Sequence, residues 1–116
     1  MKEQFISKIE EVLFGYGFSK KDNTYERIQT LTQPGQVMII NGRQMKQPDQ
    51  QVEIKYVVTE LGDGYISNMD DTNKVDLTTY EFSVYVNRQE HGAISIAYSW
   101  DDAEDFKINL SNIIQA

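Results

Sequence analysis

The sequence predicts an α+β fold, a two-layer sandwich in which an N-terminal and a C-terminal helix cover one face of an antiparallel meander of about four to six strands. Three observations predict it. Apolar residues recur at helical spacing only near the two ends of the chain. Between them, several segments alternate apolar and polar residues with the period of a strand. That alternation buries a single face, so one side of the sheet is covered and the other is open. At 116 residues the chain has the length of one domain, 1–116.

The first helix is expected over 3–16, where Phe5, Ile9, Val12, Leu13 and Tyr16 form one apolar stripe. Gly15 and Gly17 are its natural stops, because glycine enters the left-handed backbone region without steric cost. "TYERIQTL" (24–31) reads as the first strand. "QVMIINGRQMKQ" (36–47) is the clearest hairpin signal: Asn41-Gly42 suits the two positive-φ positions of a type I′ turn, which sets Ile40 opposite Arg43 and Met38 opposite Met45. The runs "QPGQV" (33–37) and "QPDQQV" (47–52) echo each other, each just before a strand, where proline does not harm the ladder.

"QVEIKYVV" (51–58) and "TYEFSVYVN" (79–87) alternate cleanly, and "GAISIAYS" (92–99) sets Ile94, Ile96 and Tyr98 on one side. The stretch 59–78 reads as a long loop broken by Gly62 and Gly64, with a short strand at Tyr65-Ile66. "NRQEHG" (87–92) makes the last turn. With 89–92 as its loop, Arg88 faces Ala93 and Glu81 faces Trp100. The second helix is expected over 101–114, with Ala103, Phe106, Leu110 and Ile113 inward.

Composition narrows the chemistry. There is no cysteine, which excludes disulfides, thiolate nucleophiles and Cys-ligated metal centres. The one histidine, His91, lies in a turn and reads as a solvated side chain rather than a general base, since nothing in the sequence aims a nucleophile at it. "LGDGY" (61–65) lacks the spacing and lysine of a phosphate loop. "DDTNKVD" (70–76) lacks the central glycine and final glutamate of an EF-hand. No catalytic residue, metal or cofactor is therefore expected.

No run of about 18 apolar residues suggests a membrane span, and "MKEQFISKIEEVLF" mixes acids and bases as a secretory leader does not. A cytoplasmic protein is the expectation. The net charge of −7 is uneven: residues 1–58 carry eight bases and seven acids, and residues 59–116 carry three bases and eleven acids. That balance offers no footprint for nucleic-acid phosphates and favours a basic protein partner.

The acids concentrate in "YSWDDAEDF" (98–106). Ser99 or Asp101 is the expected N-cap, and acids in a first turn meet the free N–H groups and the helix dipole. The surplus predicts an acidic pole of Asp70, Asp71, Asp76, Glu81, Asp101, Asp102, Glu104 and Asp105. A second candidate surface is the open sheet face around Ser83, Tyr85 and Ser95, since tyrosine is enriched at interfaces. A third feature is the stretch 29–51, which holds seven glutamines around a hairpin apolar on both faces.

These features favour a small acidic non-catalytic binding protein acting through protein–protein contacts, a monomer or homodimer. Inhibitors and immunity-type proteins of phage or mobile elements work in this way. The alternatives are a small carboxylate-based enzyme and a secretion-type chaperone binding extended peptides on its sheet. Secretion chaperones, immunity proteins and small phage proteins share this order of elements, a likeness of fold that does not assign function.

Overall fold

The computed structural model describes residues 1–67 and 74–115. Helix α1 (Lys2–Gly15) is followed by β1 (Ser19–Lys21), β2 (Thr24–Gln33), β3 (Val37–Ile40), β4 (Arg43–Lys46), β5 (Gln50–Ser67), β6 (Lys74–Val86), β7 (Gln89–Ser99) and helix α2 (Ala103–Gln115). Five strands form an antiparallel sheet in the order β1-β2-β5-β6-β7, and β3 and β4 form a separate pair. The expected α+β class is what the chain adopts. None of the helices described is long and apolar enough to cross a membrane.

Helix α1 ends as its glycines dictate. Gly17 takes φ +87°, the Phe18 N–H reaches back to the Leu13 carbonyl at 3.0 Å, and the Gly17 N–H reaches Phe14 at 3.0 Å. This is a Schellman closure, and it swings Phe18 into the core. The helical stripe Phe5, Ile9 and Leu13 packs on Tyr25, Tyr56, Val58, Tyr80, Phe82 and Tyr98 of the sheet, with Phe106 and Leu110 of α2 beside it. All of these are buried. Phe106 is the hub: its ring centroid lies 5.2 Å from that of Tyr80, 5.4 Å from Phe82 and 5.3 Å from Tyr98. The Tyr80 hydroxyl is buried with no hydrogen-bond partner among the described residues. Burial pushes its phenol upward, so the group stays neutral.

The molecule measures 77 × 27 × 21 Å, with a radius of gyration of 20.2 Å. A compact chain of this length has a radius of roughly 13 Å. Two ribbons make the difference. At one end β2 and β5 run on past the sheet to Gln33 opposite Gln50, and β3–β4 continues from them. Three residues separate the two ladders on each strand (34–36 and 47–49), so both pairs share one register. The Asn41-Gly42 turn closes the arm with φ of 52° and 77°, and Ile40 faces Arg43 as the sequence requires.

The "QPGQ" and "QPDQ" echoes lie across from one another in this arm. They form a joint in which neither proline can donate to the ladder. The Gly35 N–H turns to Asp49 Oδ1 at 2.8 Å, and a Cβ on Gly35 would overlap the Gln47 backbone carbonyl.

At the opposite end the expected loop 59–78 is mostly strand. β5 continues to Ser67, and β6 begins at Lys74 opposite it. Glycine concealed the alternation: the register shifts between Glu60 and Gly62, where Gly62 takes φ +153° and Leu61 is left over on the β5 side. The last turn also differs from expectation. Asn87 and Arg88 take φ of 50° and 69° in a two-residue turn with Val86 opposite Gln89. Asn87 is fixed there because its side-chain oxygen accepts the Glu53 N–H (3.0 Å) while its own N–H donates to the Glu53 carbonyl (2.9 Å). The three-residue β1, paired with β2, has no pattern long enough to read from sequence.

Candidate functional site

The acidic end is built where β6 begins and α2 starts. The Trp100 N–H donates to the Asp76 carbonyl at 3.3 Å, which puts Asp76 at the same end of the sheet as Asp101 and Asp102. Ser99 bends the chain here: its carbonyl accepts the Asp102 N–H (3.0 Å) and its Oγ accepts the Asp101 N–H (3.3 Å).

The helix N-cap is Asp102, not Ser99 or Asp101. Its Oδ1 accepts the N–H of Asp105 at 3.4 Å, the N-cap-to-third-residue bond of a capped helix. The two carboxylates are close, and Asp102 holds the Asp105 carboxyl above its usual range. Asp101, Glu104 and Asp105 are exposed, and Asp102 is half-buried. Lys74 reaches into this end, 3.9 Å from Asp76 and 4.4 Å above the Tyr65 ring.

Two parts of the expected pole lie elsewhere. Glu81 pairs with Ser95, not Trp100. The turn at 87–88, with a register shift between Val84 and Tyr85, brings Ser95 across from it in place of Trp100, on the open face it shares with Ser83 and Tyr85. Asp70 and Asp71 fall outside the described residues, as does most of the "DDTNKVD" run.

Capping gives a stability prediction. Asp102→Ala removes the cap and should cost about 1 kcal/mol, whereas Asp102→Asn keeps a capping oxygen and stays near wild type. Asp101→Ala serves as the uncapped comparison. Equal melting temperatures for Asp102→Ala and Asp101→Ala would refute the assignment.

On the open face, Ser83, Tyr85 and Ser95 share one side of the sheet with Glu81, but the register differs from expectation. Tyr85 lies opposite Glu90, Ser83 opposite Ala93 and Ser95 opposite Glu81. Tyr85 is half-buried because the Lys55 ammonium sits 5.8 Å from its ring centroid, and Lys55 in turn pairs with Glu26 at 3.3 Å. Ser83 is buried and donates to Glu81 Oε1 at 3.2 Å. Only Ser95 of the three is exposed.

Sequence reasoning missed a polar chain that ties α1, β5 and β6 to the turn before α2. Trp100 Nε1–H donates to Thr78 Oγ1 (2.8 Å), the Thr78 hydroxyl donates to Asp63 Oδ1 (2.9 Å), and Lys2 Nζ donates to Asp63 Oδ2 (2.5 Å). The Lys2 ammonium, more than the Thr78 hydroxyl, holds the Asp63 carboxyl below the usual carboxylate range. A parallel set fixes the other end of α1: Glu10 accepts from Lys20 (2.7 Å) and from the Tyr25 hydroxyl (2.8 Å) and is lowered for the same reason. No signal in the sequence pairs Asp63 with Thr78, because the bulge at Gly62 sets that register.

Two grooves accompany these surfaces. One, of about 510 Å³, runs between the helices past Val12, Tyr16 and Ala103, with Lys8, Glu11, Glu104 and Lys107 along it. Its two bases and two acids favour neither sign of ligand. The other, of about 290 Å³, lies at the root of the arm between β6, β7 and the last turn of α2, and is lined by Phe82, Val84, His91, Gly92, Ile94 and Ile113. His91, read as a solvated turn residue, stands at this groove and is exposed. Compared with protein-family models, curated proteins and solved structures, the chain matches none.

Proposed function

We propose that this chain is a non-catalytic binding protein that acts through contacts with other proteins, in the manner of an inhibitor or immunity-type protein. The observation that carries the reading is the surface. The chain exposes 8393 Å², whereas a folded monomer of its mass exposes roughly 6,500 Å². The ribbons expose Val37, Ile39, Ile40 and Met45 at one end and Tyr65, Ile66 and Val75 at the other. Clustered exposed apolar side chains of this kind mark an interaction site. At the acidic end the partner is a basic protein. Asp76, Asp101, Glu104 and Asp105 are carboxylates there that the cap at Asp102 does not use as its acceptor.

Affinity capture tests the reading. The immobilised chain should retain a basic protein from its native lysate at low salt and lose it at high salt, where screening shortens the reach of charge. The triple variant Asp101→Asn, Glu104→Gln, Asp105→Asn leaves the capping carboxylate in place and should lose the same protein. Unchanged capture by the folded triple variant defeats the reading of the acidic end.

A further inference from the structure

The arm ends in Asn41-Gly42, and this pair carries a chemistry that closing the turn does not use. Of the asparagines in the chain, only Asn41 is followed by glycine. The side-chain amide of an asparagine can close a five-membered ring with the backbone nitrogen of the next residue. What ordinarily hinders that closure is the next residue's own side chain. Gly42 has none, and apart from its chain neighbours no heavy atom lies within 4 Å of where a Cβ would stand. Both residues of the turn are exposed.

The molecule contains its own comparison. Asn87-Arg88 is a second two-residue turn with nearly the same backbone, φ 50° and 69° against 52° and 77° at Asn41-Gly42. There the next residue is arginine, and Glu53 of the neighbouring strand holds Asn87 through both its side-chain oxygen and its N–H. Beneath Asn41 there is only the β3–β4 ribbon, separate from the five-stranded sheet. A ribbon of two strands is marginal in water, so the tip opens locally at little cost. Each opening frees Asn41 to bring its side chain onto the Gly42 nitrogen. Asp63-Gly64 is the aspartate counterpart, but its carboxylate is engaged by Thr78 and Lys2.

We propose that Asn41 is a site of spontaneous covalent modification, in which the Gly42 amide nitrogen displaces ammonia from the Asn41 side chain and water completes the conversion to an aspartyl or isoaspartyl residue. The Gly42 nitrogen gives its proton to solvent and bonds to Asn41 Cγ. The Cγ–Nδ2 bond breaks, and the amide nitrogen leaves as ammonia with a proton regained from solvent. Water then opens the cyclic imide. Opening at Cγ gives aspartate, and opening at the main-chain carbonyl leaves the chain running through Cβ and Cγ, which is isoaspartate. No electrons are transferred: amide and water become carboxylate and ammonium. Either product places a carboxylate in 28–48, a stretch that has none. Isoaspartate also lengthens by a methylene the turn that sets Ile40 opposite Arg43. The tip of the arm therefore changes with the age of the molecule, whether or not the arm meets a partner.

Mass mapping of aged protein tests the site. Cleavage after lysine and arginine releases peptide 28–43, whose single asparagine is Asn41, and peptide 75–88, whose single asparagine is Asn87. The folded chain is held in neutral buffer beside a synthetic 28–43 peptide, with unaged samples as the zero point. In the protein, Asn41 should convert no more than about tenfold more slowly than in the free peptide and at least about tenfold faster than Asn87. The aspartyl and isoaspartyl forms of 28–43 should both accumulate, separated by reversed-phase chromatography. Gly42→Ala should slow the conversion in protein and peptide alike. An unmodified 28–43 in the protein after the free peptide has fully converted would mean that the turn shields Asn41, and it overturns the proposal. Equal conversion at Asn41 and Asn87 overturns it as well, and so does a rate unchanged by Gly42→Ala.

Discussion

Replacing Phe106 with alanine should cost about 3–5 kcal/mol, the largest loss expected of any single substitution here. The side chain is fully buried and makes ring contacts with Tyr80, Phe82 and Tyr98. Phe106 is the only aromatic residue of 103–115, and its truncation opens a cavity among three rigid rings. Aromatic pairs add about 0.5–1.5 kcal/mol each beyond area burial, which places the loss toward the upper end. Small domains are stable by only about 5–15 kcal/mol. The variant should therefore show a much lower urea midpoint with an unchanged slope, and Phe106→Leu should recover most of the loss. A midpoint shift under about 1 kcal/mol would mean that α2 is not held by this hub.

Thr78→Val should cost about 1–3 kcal/mol although it changes almost no volume. Thr78 is fully buried, accepts the Trp100 indole N–H and donates to Asp63. Valine leaves the indole N–H without its acceptor and Asp63 without one of its donors, and an unmade bond at a buried site costs more than a made one contributes. Thr78→Ser keeps the hydroxyl and controls for the lost methyl. Trp100 is the single tryptophan, so its fluorescence reads the broken contact directly.

The same variant should alter the acid response. Asp63 and Glu10 have folded-state carboxyls held low, Asp63 chiefly by Lys2 and Glu10 chiefly by Lys20. Groups of this kind contribute stability that is present above their unfolded values and lost as pH falls through the lower folded ones. Asp105, raised by Asp102, has the opposite sign and favours the fold at lower pH. Glu3, hydrogen-bonded to its own backbone N–H and beside the N-terminal ammonium, is also held low; with three lowered groups against one raised, wild-type stability should fall below about pH 4. Thr78→Val removes a donor that lowers Asp63, so the acid-dependent loss should be smaller in the variant and complete at a higher pH. Superimposable acid titrations of wild type and Thr78→Val would show that Asp63 is not held through Thr78.

Legibility in the sequence followed the strength of each local signal. The Asn41-Gly42 turn names its own geometry, and the pairing of Ile40 with Arg43 followed from it. The stripes of both helices were equally plain, because burial on one face imposes a period. The turn at Asn87-Arg88 was not legible. Arginine at positive φ carries no local signature, and what holds Asn87 is Glu53, distant in sequence. Misplacing that turn carried Glu81 to the wrong end. The strand hidden in 59–78 was lost because Gly62 and Gly64 interrupt the alternation that marks a strand. The N-cap fell one residue past Asp101 since Ser99 makes a turn of its own before the helix. The collection of acids near Trp100 could be read from the sequence. Which of them is structural could not, because that depends on hydrogen bonds of single atoms.

The strand order has a consequence for how quickly the protein folds. β1-β2-β5-β6-β7 is a succession of hairpins, with β3–β4 only the far tip of one of them, so every strand pairs with a near neighbour in sequence. Each ladder can zip from its own turn without first closing a long loop, which keeps the entropic barrier to the sheet low. The distant encounter is that of α1: Phe5 meets Tyr80 and Lys2 meets Asp63 across most of the chain. Docking of α1 onto a sheet already zipped is the natural last event of folding, and its ion pairs with Asp63 and Lys20 are the contacts that latch it.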